Sequence, residues 1–203
     1  MNNASTSLWK LTVAQLRDQV SSVDPTPGGG SVSIVAATLG VASIRKAVLV
    51  SLKRSSAVPA KHQSLVELSS TASALMTSLS GLADADSRAV ADYLEASARP
   101  RTTESDKTLR RAAREVGLVR ATKIPLEAAE VMGRGLDAAE AAARIVDAHV
   151  RSEVLTGEIL LRASIKSLLL TVDANLPGIS DAASRDALEL QRRELEIAFV
   201  PPC

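Results

Sequence analysis

The sequence predicts an all-α protein, a multi-helical bundle with long central helices. Three observations carry that expectation. The segments between prolines are rich in Ala, Leu, Arg and Glu, residues that favour helix. No sustained period-two alternation argues for strands. The prolines stand almost wholly at joints, at positions 25, 27, 59, 100, 125, 177, 201 and 202.

The first helix opens at Thr12, with Gln15 three residues on to complete a capping box and with Leu11 and Leu16 spaced as a hydrophobic staple. A second helix covers about 30–53. Its run Val32 to Leu52 approaches the roughly 20 residues of a membrane span. Arg45 and Lys46 fall inside it, and Ser33, Thr38, Ser43 and Ser51 dilute it, so it reads as the central helix of a soluble bundle. A third helix starts near Pro59 and runs to Ala98. Leu65, Leu68, Ala72, Leu75, Leu79, Leu82, Asp86, Ala89 and Tyr93 recur along it at alternating spacings of three and four, the seam of a helix packed along its length. A fourth covers about 104–122 and bends or breaks at Pro125. A fifth starts at Asp137, where Glu140 completes another box, and reaches Asp173. Asn175 to Ser180 turns around Pro177-Gly178, and a last helix runs from about Asp181 to Phe199.

Composition bounds the partners. At 203 residues and 46% apolar, the chain suits one domain over 1–203, with 1–8 and 200–203 as loose ends. A net charge of +1 and a single Trp, Tyr and Phe argue against nucleic acid, which needs cationic surface and stacking rings. Cys203 is the lone cysteine, and Met1 to Ser7 lacks the basic start and apolar stretch of a signal peptide, so the expected setting is the cytoplasm. His62 and His149 have no His or Cys at ligand spacing, which leaves no metal site and no tightly bound cofactor to expect.

Two features point to chemistry. Pro25-Thr26-Pro27-Gly28-Gly29-Gly30-Ser31 leads straight into the apolar second helix, so the unpaired N–H groups of a helix start face a glycine corner suited to an anion. The corner lacks the Lys of a P-loop and the order of a dinucleotide site. Asp86 occupies a seam position, where a carboxylate is either paired with a neighbouring Arg or tuned by burial as an acid or base. Basic residues gather as Arg45, Lys46, Lys53 and Arg54, and again as Arg110, Arg111 and Arg114, which read first as solvated faces.

The PTPGGGS corner, Asp86 on a helix ending before Pro100, Ile124-Pro125-Leu126, and the turn Asn175-Leu176-Pro177-Gly178-Ile179-Ser180-Asp181 resemble, in that order, the cyclodeaminase/cyclohydrolase family. That family includes the C-terminal domain of formiminotransferase-cyclodeaminase and bacterial methenyltetrahydrofolate cyclohydrolases. The resemblance implies a methenyltetrahydrofolate cyclohydrolase-like helical fold, a homodimer, and a small-molecule substrate, a tetrahydrofolate derivative with one carbon held between two nitrogens. It implies a ligand site at Pro27, Gly28, Gly29, Gly30 and Ser31 with Asp86 as its polar residue. Departures fall at polar positions. Where the family carries Asn-Leu-Thr and a Gly-Lys-Lys-like run, this chain has Leu49-Val50-Ser51 and Leu52-Lys53-Arg54. The Asn and Ser-Asp expected on the fifth helix become His149 and Ser152-Glu153, and the Lys after Pro100 is Arg101. Asp86 and Glu153 are the candidate catalytic carboxylates, and Lys53, Arg54, Arg101, His149 and Ser152 the further ligand-binding candidates. Three readings stand: a folate one-carbon enzyme working by carboxylate acid/base catalysis, a diverged member acting on another C–N ring or imine, and a non-catalytic helical binding protein.

Overall fold

The computed structural model describes residues 7–55 and 58–200. Six α-helices follow one another: α1 (Val13–Val20), α2 (Gly29–Leu52), α3 (Pro59–Ala98), α4 (Glu104–Ile145), α5 (Arg151–Asn175) and α6 (Ala182–Phe199). Short 3₁₀ turns lie at Leu8–Lys10, Ala148–Val150 and Leu176–Gly178. The Thr12/Gln15 box forms as expected, and Leu11 and Leu16 both pack on the core. Most of the loose ends expected over 1–8 and 200–203, Cys203 included, lie outside the described residues. Leu8 itself is docked, buried with its N–H donating to Asp84 Oδ1 at 2.8 Å.

The helices α2, α3, α4 and α5 make the bundle, arranged so that α2 and α4 each pack between α3 and α5. Antiparallel α2 and α5 come into backbone contact at Gly40 and Gly157, where a Cβ on Gly157 would meet the Gly40 carbonyl and Ile44 at 2.5 Å. Small residues there let two backbones touch. The α3 seam is buried at Leu65, Ala72, Leu75, Leu79, Asp86 and Ala89, with Leu68, Leu82 and Tyr93 half-buried. By length and composition α2 is apolar enough to cross a membrane, yet half of its most apolar window is buried inside the bundle.

Two boundaries differ from expectation. Pro125 neither ends nor divides α4, which continues for 42 residues. Proline removes the N–H that would satisfy the Ala121 carbonyl, and Asn175 Nδ2 donates to that carbonyl at 3.3 Å in its place. Asp137 therefore stands inside α4 rather than at a cap, amid an alanine-rich stretch that propagates helix. The break comes instead after Ile145, where the Asp147 N–H donates to Ser51 Oγ at 2.8 Å and Asp147 pairs with Lys61 at 3.0 Å.

Candidate functional site

The glycine corner and Asp86 come together. Gly28 caps α2 with extended backbone, and among the described residues no glycine has a positive φ. Gly30 is required by closeness instead. A Cβ there would lie 2.7 Å from Asp86 Oδ2 and 2.9 Å from Oδ1. The Ser31 hydroxyl, one residue on, donates to Asp86 Oδ2 at 2.7 Å. Antiparallel α2 and α3 thus press a helix start against a carboxylate that is 3% exposed. Among the described residues Asp86 makes no ion pair, so the alternative of an Arg partner is not realised. Burial pushes its pKa up, and hydrogen bonds from the Ser31 side chain and backbone offset part of that rise. Gly29 faces open space, with nothing within 4 Å of an added Cβ, while Pro27 is buried beneath the corner after a cis Thr26–Pro27 bond.

The other candidates lie elsewhere. Glu153, in the first turn of α5, accepts from Lys46 Nζ at 2.6 Å and from Ser43 Oγ at 2.7 Å. The Lys46 hydrogen bond, then that of Ser43, holds its pKa below the usual carboxylate range. It is an ionised, paired carboxylate where Asp86 is an isolated one. Arg54 Nη1 stands 3.3 Å from His149 Nε2, beside the Lys61–Asp147 pair. Ser152 is exposed in the turn that carries Glu153, and Lys53 follows the last turn of α2. These residues share the end of the bundle opposite Asp86. From Ser31 to Lys46 the 1.5 Å rise of a helix gives roughly 22 Å. Arg101 lies in the α3–α4 connection, at the Asp86 end but beyond it, and joins Arg110 and Arg114. Burial and the like charges of Arg101 and Arg114 depress the pKa of Arg110. Arg114 is held by Tyr93 Oη at 3.0 Å and Ser97 Oγ at 3.1 Å.

Two clefts open on the surface. One, of about 540 Å³, lies on the α2–α3 seam and is lined by apolar Ala42, Leu49, Val50, Leu52 and Met76 under the cations Arg45, Lys46 and Lys53. Its form suits a ligand with an apolar body and an anionic end. Arg45 and Lys46 stood out in the sequence only as charges; their spacing of seven and eight residues from Lys53, about two turns, was the signal that the three share a face. The other cleft, of about 640 Å³, lies between α3 and α4 and is closed by the start of α6; Leu82, Ala85, Val119 and Ile124 form its floor. Neither lining includes Asp86 or Gly28–Ser31. Among the described residues, no group of His, Cys, Asp and Glu side chains is arranged to hold a metal ion.

The fold and corner define a class: a helical bundle in which a glycine-rich helix start houses one unpaired, desolvated carboxylate. Residues 12–194 match the family described as formiminotransferase-cyclodeaminase. The chain belongs to that family, as a diverged member. It is 26% identical over 172 residues to a methenyltetrahydrofolate cyclohydrolase of Methylorubrum extorquens, covering 85% of this chain and 82% of that protein. It is 31% identical over 178 residues to the formimidoyltransferase-cyclodeaminase of Sus scrofa, covering 87% of this chain but 32% of that longer protein. A crystal structure of formiminotetrahydrofolate cyclodeaminase from Thermotoga maritima superposes with a TM-score of 0.82 at 21% identity, over 94% of this chain and 91% of that one, which establishes the shared fold. The expected all-α bundle with long central helices is therefore the observed one.

Proposed function

We propose that the protein is a cytoplasmic, homodimeric folate one-carbon enzyme that acts at the carbon held between two nitrogens, as a cyclohydrolase or cyclodeaminase, with Asp86 as its acid/base. The observation that carries this reading is a buried carboxylate with no ionic partner among the described residues, set against a helix start that is open at Gly29. Addition of water to a cyclic amidinium carbon, or of a ring nitrogen to a formimino carbon, passes through a tetrahedral carbon flanked by nitrogens. A carboxylate whose pKa is raised by burial can accept the nucleophile's proton and return it to the leaving nitrogen, an effect of about 10²–10⁴ in rate. Ser31 orients that carboxylate through its 2.7 Å hydrogen bond. Helix-start N–H groups at Gly29 and Gly30 favour a ligand oxygen or anion. Family membership supports the reaction class, and the cyclohydrolase and cyclodeaminase named among the relatives supply the two chemistries.

The test is the loss of methenyltetrahydrofolate absorbance with purified protein, beside Asp86→Asn and a no-enzyme control. Turnover in the wild type that vanishes in the folded variant is the expected result. Equal rates in the variant remove Asp86 from the mechanism, and no rate above the control removes the cyclohydrolase. A second reading, the same chemistry on a non-folate C–N substrate, is favoured by one observation. Most of the residues that depart from the family pattern, Leu49, Ser51, Leu52, Arg54, His149 and Glu153, lie toward the cleft end of the bundle, with Arg101 apart from them beyond the Asp86 end, while the Asp86 corner is kept. Glu153, engaged by Lys46 and Ser43, is in this proposal a positioning group rather than a proton carrier.

A further inference from the structure

The joint between α3 and α4 carries an excess of positive charge for which the chemistry at Asp86 has no use. Residues 99–114 hold six Lys or Arg against two acids, in a chain whose net charge is +1. Both acids are engaged locally. Glu104 pairs with Lys107 at 2.7 Å, and Asp106 closes the capping box with Thr103. Among the described residues none of Arg101, Arg110, Arg111 and Arg114 makes an ion pair. The half-buried Lys61, Arg162 and Arg192, by contrast, each rest on a carboxylate: Asp147, Glu158 and Asp173 in turn.

Two of these guanidiniums are built into the joint. Arg110 and Arg114, one turn apart on α4, are half-buried against the end of α3. Arg110 Nε donates to the Ser97 carbonyl at 2.9 Å. Arg114 donates from Nε to Ser97 Oγ at 3.1 Å and from Nη2 to Tyr93 Oη at 3.0 Å, with its Cζ 5.6 Å from the centre of the Tyr93 ring. Tyr93 is itself fixed, since a Cβ on Gly117 of α4 would stand 3.0 Å from its Cα. The acceptors are a carbonyl and two hydroxyls, so each guanidinium is oriented without being neutralised. Capping accounts for one part of this: α3 ends at Ala98, and Arg110 Nε satisfies one of its last carbonyls. It does not account for a second guanidinium on the same serine. Nor does it explain why Arg101 and Arg114 stand near enough for their like charges to act on Arg110 with no carboxylate to answer them. Among the described residues Arg110 Nη1 and Nη2 and Arg114 Nη1 have no protein acceptor. Such planar forks match the paired oxygens of a phosphoryl or carboxylate group.

We propose that Arg110 and Arg114, seated on Ser97 and Tyr93, form a binding site for an oxyanion of two or more negative charges, with Arg101 at its edge. The guanidinium forks hold the oxygens, and the anion offsets the mutual repulsion of the cluster, a gain that a lone solvated arginine does not offer. Phosphoryl and polycarboxylate compounds share this chemistry. The site lies at the corner end of the bundle, with Tyr93 seven residues beyond Asp86 on α3, roughly 10 Å along the helix. It is distinct from the seam cleft, whose cations Arg45, Lys46 and Lys53 lie toward the other end of α2. Binding here makes no use of the reaction proposed for Asp86 and stands or falls without it.

Thermal unfolding followed by circular dichroism tests the site, with pyrophosphate, tricarballylate or acetate added at low millimolar concentration and ionic strength held constant with NaCl. At that concentration the general stabilisation by excluded salts is small. The wild-type midpoint should rise with the logarithm of pyrophosphate or tricarballylate concentration, as mass action requires, and not with acetate. The anion with the larger rise names the ligand class, phosphoryl or carboxylate. Arg110→Gln/Arg114→Gln should lose the rise, whereas Arg111→Gln, which removes an exposed charge from the same helix, should keep it. Tyr93→Phe removes no charge but releases Arg114, and should weaken binding several-fold by titration calorimetry. A flat wild-type midpoint overturns the proposal, as does an equal rise with acetate or a rise that survives in the double variant. An equal loss in Arg111→Gln, or unchanged affinity in Tyr93→Phe, also overturns it, because the effect would then belong to diffuse charge rather than to a built site. Where the double variant does not fold, the calorimetric affinities of Arg110→Gln and Arg114→Gln make the same comparison singly.

Discussion

Replacing Asp86 by Asn removes a charge and almost no volume, so its effect on stability isolates the cost of ionising that carboxylate in place. Asp86 is 3% exposed, has Ser31 as its hydrogen-bond partner and no cation, and burial raises its pKa. In the window between the unfolded and folded pKa values the native state holds more protons than the unfolded one. Stability contributed at this site is therefore fully present below the unfolded value and is lost as pH rises through the folded one. One group contributes a slope of at most roughly 1–2 kcal/mol per pH unit. The assay is urea unfolding of wild type and Asp86→Asn at intervals from about pH 4, near the ordinary Asp value, to about pH 8. Wild-type stability minus that of the variant should fall as pH rises above the ordinary Asp value. Near neutral pH the variant should equal or exceed wild type in stability while losing turnover. A difference that is flat, or that grows with pH, would refute the argument, since it would mean that the ionised carboxylate is stabilised by something other than Ser31.

Four further outcomes follow from the same contacts. Ser31→Ala removes a hydrogen bond that favours the charged carboxylate, so the Asp86 pKa moves further up and the acidic limb of the pH–rate profile shifts to higher pH; an unmoved limb would detach Asp86 from that limb. Asn175→Ala leaves the Ala121 carbonyl without its donor and should cost about 1–2 kcal/mol by denaturant unfolding. The loss should shrink in a Pro125→Ala background, where residue 125 regains its own N–H. Gly157→Ala drives a Cβ to 2.5 Å from the Gly40 carbonyl and should destabilise by about 1–3 kcal/mol or more, whereas Gly29→Ala, facing open space, should stay within about 1 kcal/mol of wild type. Lys46→Ala should change stability by less than about 1 kcal/mol, because its pair with Glu153 is well exposed on the Lys side.

How far the sequence could be read depended on whether a residue's role was local. The Thr12/Gln15 box and the α3 seam are decided within a few turns, and both form as the pattern predicts. Pro125 failed as a punctuation mark because the donor that rescues its orphaned acceptor, Asn175, sits fifty residues away on another helix. Asp137 failed as a cap for the same reason at one remove: once Pro125 is tolerated, nothing local stops the alanines that follow. The pairing of the glycine corner with Asp86 was legible through family resemblance, whereas spacing alone placed Asp86 on a seam without naming what faced it. The grouping of Lys53, Arg54, His149 and Glu153 at one end, far from Asp86, depends on the antiparallel order of α2, α3 and α5 and had no signature in the chain.

The corner also changes its meaning once it is built. Three consecutive glycines suggest backbone bared for a ligand, yet only Gly29 faces open space, and Gly30 is bare because Asp86 fills the place of its side chain. The same missing Cβ that lets α2 and α3 close at this end also keeps water from the carboxylate, which is what raises its pKa. A larger residue at position 30 would push the carboxylate outward, rehydrate it and return it toward an ordinary Asp. Fold and chemistry are thus set by one contact. The structural requirement for Gly30 and the desolvation of Asp86 cannot be varied separately, whereas the distant cleft, joined to this corner only through the length of α2, is free to change without disturbing that contact.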